Sequence, residues 1–163
     1  MSDKRLLQLP AMKFAVLLLL LALALLLPLV AHAAVASSKL TAVTGQGSGK
    51  MIIAPTARGH GHFTAQMTLN VHHTSPNTTF WVSRAPDFNP DGVCTGTRYV
   101  PFTVSPTNPE AVSLTTSPGG AGAAHWSYEA TQFPSGMRFD VVVRAVGEDG
   151  TIVQSECMTI TVK

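Results

Sequence analysis

Histidines are the first residues of this chain that could do chemistry. His60, His62 and His72 have the same parity, so they project from one face if this stretch is a β-strand. Imidazoles two residues apart on a strand can share a copper or zinc ion. His62 and His72 would lie roughly 33 Å apart on an extended strand, too far to bind one ion. A Cu/Zn site would therefore need His60, His62 and a ligand from a neighbouring element.

An acidic loop is the second candidate site. Asp87, Asn89 and Asp91 alternate and Gly92 follows, which matches the first half of a calcium-binding loop. A complete loop of that kind has a glutamate at its twelfth position, where this chain has Arg98. Asp, Asn, Pro and Gly are also the residues of ordinary tight turns. Calcium is therefore the alternative, and a plain turn next to the following cysteine is the favoured interpretation.

The aromatic residues could form a contact surface for a glycan or a protein. Trp126 and Tyr128 share a face with small apolar residues, which favours the core. Trp81 has the opposite parity to Phe80 and Val82, so it points outward if Phe80 is buried. We therefore predict that Trp81 is part of a contact surface.

Catalytic groups are sparse. Ser127 stands near His125, and Asp140 near Arg138, but their spacing forms no triad. The chain also lacks nucleophile-elbow and zinc-protease motifs. We therefore predict a protein that is not an enzyme and has no cofactor, with a hydrolase as the least favoured function.

Strands are the elements that must position these residues. Apolar and polar residues alternate with a period of two over 62–72, 124–130, 139–145 and 158–162, and 78–84 is a short aromatic and β-branched run. Gly, Pro, Asn and Asp clusters separate these segments. The pattern predicts an all-β fold, an antiparallel sandwich of about seven strands. Residues 44–58 are rich in Gly, Ser and Pro and predict an arm or a loop after a first strand.

Four segments give the chain a family resemblance: Thr68–His72, Pro76–Thr79, Asp87–Cys94 and Cys157–Val162. On these segments the chain resembles uncharacterised secreted bacterial proteins with an immunoglobulin-like or fibronectin-III-like β-sandwich domain. The resemblance implies that sandwich fold and no activity. The chain departs from an antibody-type domain, because Ser155 stands where such a domain has its corner tyrosine.

The N-terminal segment has the composition of an export signal. An apolar, leucine-rich run over 14–30 follows Lys13 and precedes Ala31-His32-Ala33, a small-x-small cleavage site. We predict a signal helix in a signal peptide over 1–33, with translation starting at Met1 or Met12; an uncleaved membrane anchor is the alternative. The remainder divides into an N-terminal strand and arm, 34–60, and the sandwich, 61–163.

The chain that follows the predicted cleavage site has a balanced charge and contains both cysteines. It carries eight Lys or Arg and eight Asp or Glu, so the net charge of +2 belongs to the signal. With no basic stripe, neither nucleic acid nor an anionic membrane is a predicted partner. Cys94 and Cys157 are the two cysteines, and in an oxidising compartment such a pair is most simply a disulfide.

These observations predict a secreted, periplasmic or cell-surface module. Its function is binding or structural, with an unknown extracellular protein or glycan as partner. The alternative is an extracytoplasmic protein that binds Cu/Zn or Ca through His60 and His62 or through the acidic loop.

Overall fold

The computed structural model describes residues 35–56, 61–105 and 107–163, without the side chains of 104 and 105. The predicted signal peptide, 1–33, and His60 lie outside the described residues. Among the described residues there is no helix, and therefore none long and apolar enough to cross a membrane.

The described residues form an all-β fold whose strand pairs are all antiparallel. They contain twelve strands. The strands are β1 (Ala36–Thr44), β2 (Ser48–Thr56), β3 (His62–His72), β4 (Thr79–Asp87), β5 (Val100–Pro101), β6 (Thr103–Ser105), β7 (Asn108–Ala111), β8 (Ser113–Thr115), β9 (Gly122–Thr131), β10 (Arg138–Gly147), β11 (Ile152–Ser155) and β12 (Met158–Thr161).

Ten of these strands form one sheet that folds back over itself. Its order is β5-β4-β10-β11-β1-β2-β3-β9, with β12 paired to β10 and β8 to β4, while β6 and β7 pair with each other. Phe63 on β3 contacts Phe139 on β10, with 5.5 Å between the ring centroids, although these strands are far apart in the sheet order. Opposite parts of the sheet therefore face each other, which is consistent with a β-sandwich.

The alternation read from the sequence places the core correctly. On β3 the five apolar residues of one parity are buried, and the same holds for the apolar residues of one parity on β10. Phe80 and Val82 of β4 face the same interior, and both side chains are fully buried. The core thus consists of the inward faces of both halves of the sheet.

Two segments differ from the sequence-based expectation. Residues 48–56, predicted to belong to an arm or loop, form strand β2 in the middle of the sheet between β1 and β3. Met51 and Ile53 are buried there, so the short alternation outweighs the flanking Gly, Ser and Pro. Residues 100–115, which carry no clear alternation, contribute the four short strands β5 to β8. Phe102, Val112 and Leu114 of this segment are buried.

The turn before β9 depends on Gly120. This residue has a φ of 70°, and a Cβ added to it would lie 2.1 Å from the carbonyl oxygen of Thr74. The Thr74 backbone N–H and hydroxyl both donate to the Gly120 carbonyl, which holds the two segments together.

Replacing Gly120 with alanine should destabilise the fold more than the same change at Gly150. Gly150 also has a positive φ, 85°, but a Cβ there meets nothing within 4 Å. Gly150→Ala should therefore cost about 1 kcal/mol for the left-handed backbone alone. Gly120→Ala adds the overlap with Thr74 and should cost about 2 kcal/mol more. Urea unfolding measures both; equal losses would contradict the close approach at Thr74.

The disulfide predicted from the two cysteines is present. Cys94 and Cys157 are bonded, with their Cα atoms 5.5 Å apart and a sequence separation of 63. The bond joins the loop after β4 to the junction between β11 and β12. A structural disulfide is typical of proteins in oxidising compartments.

Candidate functional site

An apolar cavity of about 200 Å³ lies between the facing halves of the sheet. Strands β2, β3, β4, β9, β10 and β12 all contribute to its walls, together with the segments that follow β4, β5 and β9. Six aromatic side chains line it: Phe63, Phe88, Phe102, Tyr128, Phe133 and Phe139. Arg84 is the one charged residue of this lining.

The aromatic rings pack against each other at one end of the cavity. Phe63, Phe133 and Phe139 form a triangle with centroid distances of 5.5 to 5.9 Å. Phe88 lies 6.3 Å from both Phe133 and Phe139, and its side chain is 59% exposed. Phe88 is therefore at the mouth of the cavity, where a ligand would meet solvent-facing apolar surface first.

Arg84 reaches the cavity from β4. Residues of one parity on this strand face inward, beginning with Phe80 and Val82, and Arg84 continues that series. Its guanidinium carbon lies 4.7 Å from the ring centroid of Phe102 and 4.8 Å from that of Tyr128. The cation is therefore in contact with two aromatic rings, which attract it through their quadrupoles.

The hydrogen bonds of Arg84 go to neutral acceptors. Its Nη1 donates to the Pro101 carbonyl oxygen at 2.7 Å and its Nη2 to the Tyr128 hydroxyl at 2.8 Å. Burial lowers the pKa of the guanidinium, and the interaction with Tyr128 opposes that shift. The side chain stays charged, because arginine is not deprotonated in proteins. Within the described part of the chain, no carboxylate forms an ion pair with Arg84.

Sequence reasoning missed this site, although one signal for it was available. The alternation that places Phe80 inward places Arg84 inward too, and a charged residue in the buried series of a strand is unusual. Phe102 gave no such signal, because it lies between the short strands β5 and β6 outside any alternating run.

Three of the described histidines, His62 and His72 on β3 and His125 on β9, form contacts with other side chains. His62 pairs with Glu129 across the strands, with 3.4 Å between Nδ1 and Oε1. His72 is 3.4 Å from the Ser48 hydroxyl, and His125 is 3.0 Å from the Thr68 hydroxyl. No group of three potential metal ligands of the His, Cys, Asp and Glu types occurs among the described residues, a set that excludes His60.

The acidic loop uses its carboxylates to hold its own backbone. Asp87 accepts from the Asn89 and Thr95 backbone N–H groups and from the Thr95 hydroxyl. The Thr95 hydroxyl is the largest cause that lowers the pKa of Asp87, followed by the two backbone bonds. Asp91 accepts from the Asn89 side-chain amide and the Val93 backbone N–H. These are the bonds of a turn, in which each oxygen of both carboxylates already accepts a hydrogen bond.

Trp81 lies on the outward face of β4, as the alternation predicts. Its side chain is 45% exposed, while Phe80 is fully buried. Trp126 is buried and Tyr128 half-buried, so both belong to the interior, where the sequence favoured them. The role of Trp81 as a contact surface stays a prediction.

Comparisons with family models, with curated proteins and with solved structures find no match to this chain.

Proposed function

We propose that this chain is an exported, immunoglobulin-like β-sandwich module that binds a small, mainly apolar ligand between its sheets. The observation that supports this function is the cavity of about 200 Å³ lined by six aromatic rings and open at Phe88. Protein interiors are normally close-packed, so unfilled apolar space of this size is unusual. Ligand sites are concave, mainly apolar and lined by a few polar groups, as this cavity is.

The size of the cavity limits the ligand. An apolar protein cavity of roughly 150 Å³ takes up benzene. The volume of this cavity is somewhat larger, so a ligand with one aromatic ring or a short branched alkyl chain would fit. Export to an oxidising compartment is part of the proposal and is supported by the leader composition and by the Cys94–Cys157 disulfide.

The proposal is tested by methyl NMR of the purified protein with toluene as the probe. We expect the methyl signals of Ile53, Met67 and Val141, which line the cavity, to shift in a saturable manner. The methyl signals of Val43, which is 54% exposed on β1, are the internal control and should not move. No saturable shift at the cavity, or equal shifts at Val43, would overturn the proposed function.

Metal binding by His60 and His62, or by the acidic loop, stays the alternative prediction. The contacts of His62 and of the two aspartates do not add support to it.

A further inference from the structure

We propose that the ligand of this cavity is a small amphipathic carboxylate, whose apolar body lies among the aromatic rings and whose carboxylate binds Arg84. This inference rests on the proposed function and specifies the chemical class of the ligand. The geometry that points to it is the guanidinium of Arg84 in the wall of an otherwise uncharged cavity.

The first step of the argument is the charge of Arg84. A guanidinium carries five N–H donors, and the bonds to Pro101 and Tyr128 use one donor on each Nη. Both acceptors are neutral, so among the described residues the positive charge is offset by these two dipoles and the faces of two rings and not by an anion. A partly desolvated cation next to an apolar cavity is unfavourable unless an anion accompanies it. A ligand carboxylate would supply that anion.

The second step is the geometry of the polar end. The planar guanidinium fork matches a carboxylate and binds it with short, charge-assisted hydrogen bonds. Phe102 and Tyr128 hold Arg84 in place before any ligand arrives, which reduces the entropy lost on binding. The Tyr128 hydroxyl accepts its bond from Arg84, so its own proton can be donated to a carboxylate oxygen.

The third step is the apolar body. The rings of Phe63, Phe133 and Phe139 meet in tilted and edge-on geometries and offer faces and edges to a further ring. A bare anion such as acetate would use Arg84 and leave these contacts unmade. A neutral hydrocarbon would use the rings and leave the cation without its partner. Only a molecule that has both a carboxylate and an apolar body can contact Arg84 and the aromatic rings at the same time.

The experiment compares three probes on the same protein: benzoate, toluene and acetate. We expect benzoate to bind at least about tenfold more tightly than toluene, because its carboxylate can form charge-assisted hydrogen bonds with Arg84. We also expect benzoate to bind at least about tenfold more tightly than acetate, because its ring buries apolar surface among the aromatic side chains. Toluene binding without a preference for benzoate would sink this inference and leave the proposed function standing. Failure of all three probes would overturn both.

A matched pair of variants locates the carboxylate. Arg84→Gln should remove the preference for benzoate over toluene while toluene still binds. Arg144→Gln is the control, because Arg144 lies on the neighbouring strand and also stacks on a ring, that of Tyr99 at 3.8 Å, but does not line the cavity. The Arg144→Gln variant should keep the full preference for benzoate over toluene. An unchanged preference in Arg84→Gln, or an equal loss in both variants, would contradict the assignment.

A measurement on the unchanged protein decides the matter if Arg84→Gln does not fold. The Nε–H signal of Arg84 should shift on addition of benzoate and should not shift with toluene. The Nε–H signal of Arg144, which donates to Gln154, should stay in place with both probes. If the Nε–H signal of Arg84 does not shift on addition of benzoate, the proposed contact is refuted.

Discussion

Replacing Phe102 with alanine is expected to reduce the free energy of unfolding by about 3–5 kcal/mol, the usual cost of deleting a buried phenylalanine ring. Phe102 is only 1% exposed, and its ring centroid lies 5.4 Å from those of both Trp126 and Tyr128. The same ring carries the guanidinium of Arg84 on its face. Alanine would therefore enlarge the cavity and also remove one support of the cation.

The backbone around Phe102 makes relaxation into the vacated space unfavourable. Its N–H donates to the Val82 carbonyl at 2.9 Å, and its carbonyl accepts from the Val112 N–H at 2.8 Å. These bonds anchor the segment between β5 and β6 to β4 on one side and to the residue between β7 and β8 on the other. Because the main chain is held, collapse of the surroundings onto the missing ring is restricted, and the cost should fall in the upper part of the range.

Urea unfolding with linear extrapolation measures this loss. Phe88→Ala is the matched control, because it removes the same ring from the mouth of the same cavity, where the side chain is 59% exposed. It should cost less than about 1 kcal/mol, since little apolar surface returns to water. Similar losses in the two variants would show that Phe102 is not part of a packed interior.

Removing the disulfide is the second large effect. The double variant Cys94→Ser, Cys157→Ser should lose about 4 kcal/mol of stability, because the bond joins residues with a sequence separation of 63. Its loss restores the conformational freedom of the unfolded chain. The loop that carries Cys94 lies against the outer side of β4, where Gly96 approaches the Pro86 carbonyl and the Ala85 side chain. The bond therefore also holds this loop over Ala85, which is 1% exposed.

Thermal unfolding with and without reductant tests the disulfide. The unchanged protein should melt at a lower temperature when it is reduced, and the double variant should melt at one temperature in both conditions. Counting thiols in the unfolded, unreduced protein should find none. A double variant within about 1 kcal/mol of the parent would mean that the loop is held by its hydrogen bonds, such as those of Asp87 with Thr95, and not by the bond.

The proposed pocket shares one residue, Phe102, with the first of these two stability effects and none with the second. Phe102 forms a wall of the cavity, supports Arg84 and packs on two residues of β9. A change there should alter stability and ligand preference together. A change at Cys94 and Cys157, which do not line the cavity, should alter stability while the preference for benzoate is kept.

Local patterns were enough to predict the strands with the clearest alternation. On β3 the predicted bounds 62–72 agree with the structure, because one side of that strand faces the core along its whole length. β2 was not recognised, because its alternation is short and lies among Gly, Ser and Pro residues that usually mark loops. Its burial comes from pairing with β1 and β3 on both sides, a tertiary effect that local composition does not contain.

The candidate site was not predicted from the sequence, and the reason is the distance between its parts along the chain. Arg84 and Tyr128 are 44 residues apart, and they meet only because β9 folds over the inward face of β4. Phe102 joins them from an irregular segment. The histidines and the acidic loop were prominent in the sequence because their members are neighbours in the chain. Proximity in sequence was no guide to which residues share a cavity.

The sequence by itself determined the all-β class, the inward parity of the strongest strands and the pairing of Cys94 with Cys157. Each of these depends on a local period or on there being a single pair of cysteines to join. Tertiary structure alone decided that β2 lies inside the sheet, that 100–115 supplies part of the core, and that Arg84 is held between Phe102 and Tyr128. The physical reason is that burial is a property of contacts between distant segments, whereas alternation is a property of each strand alone.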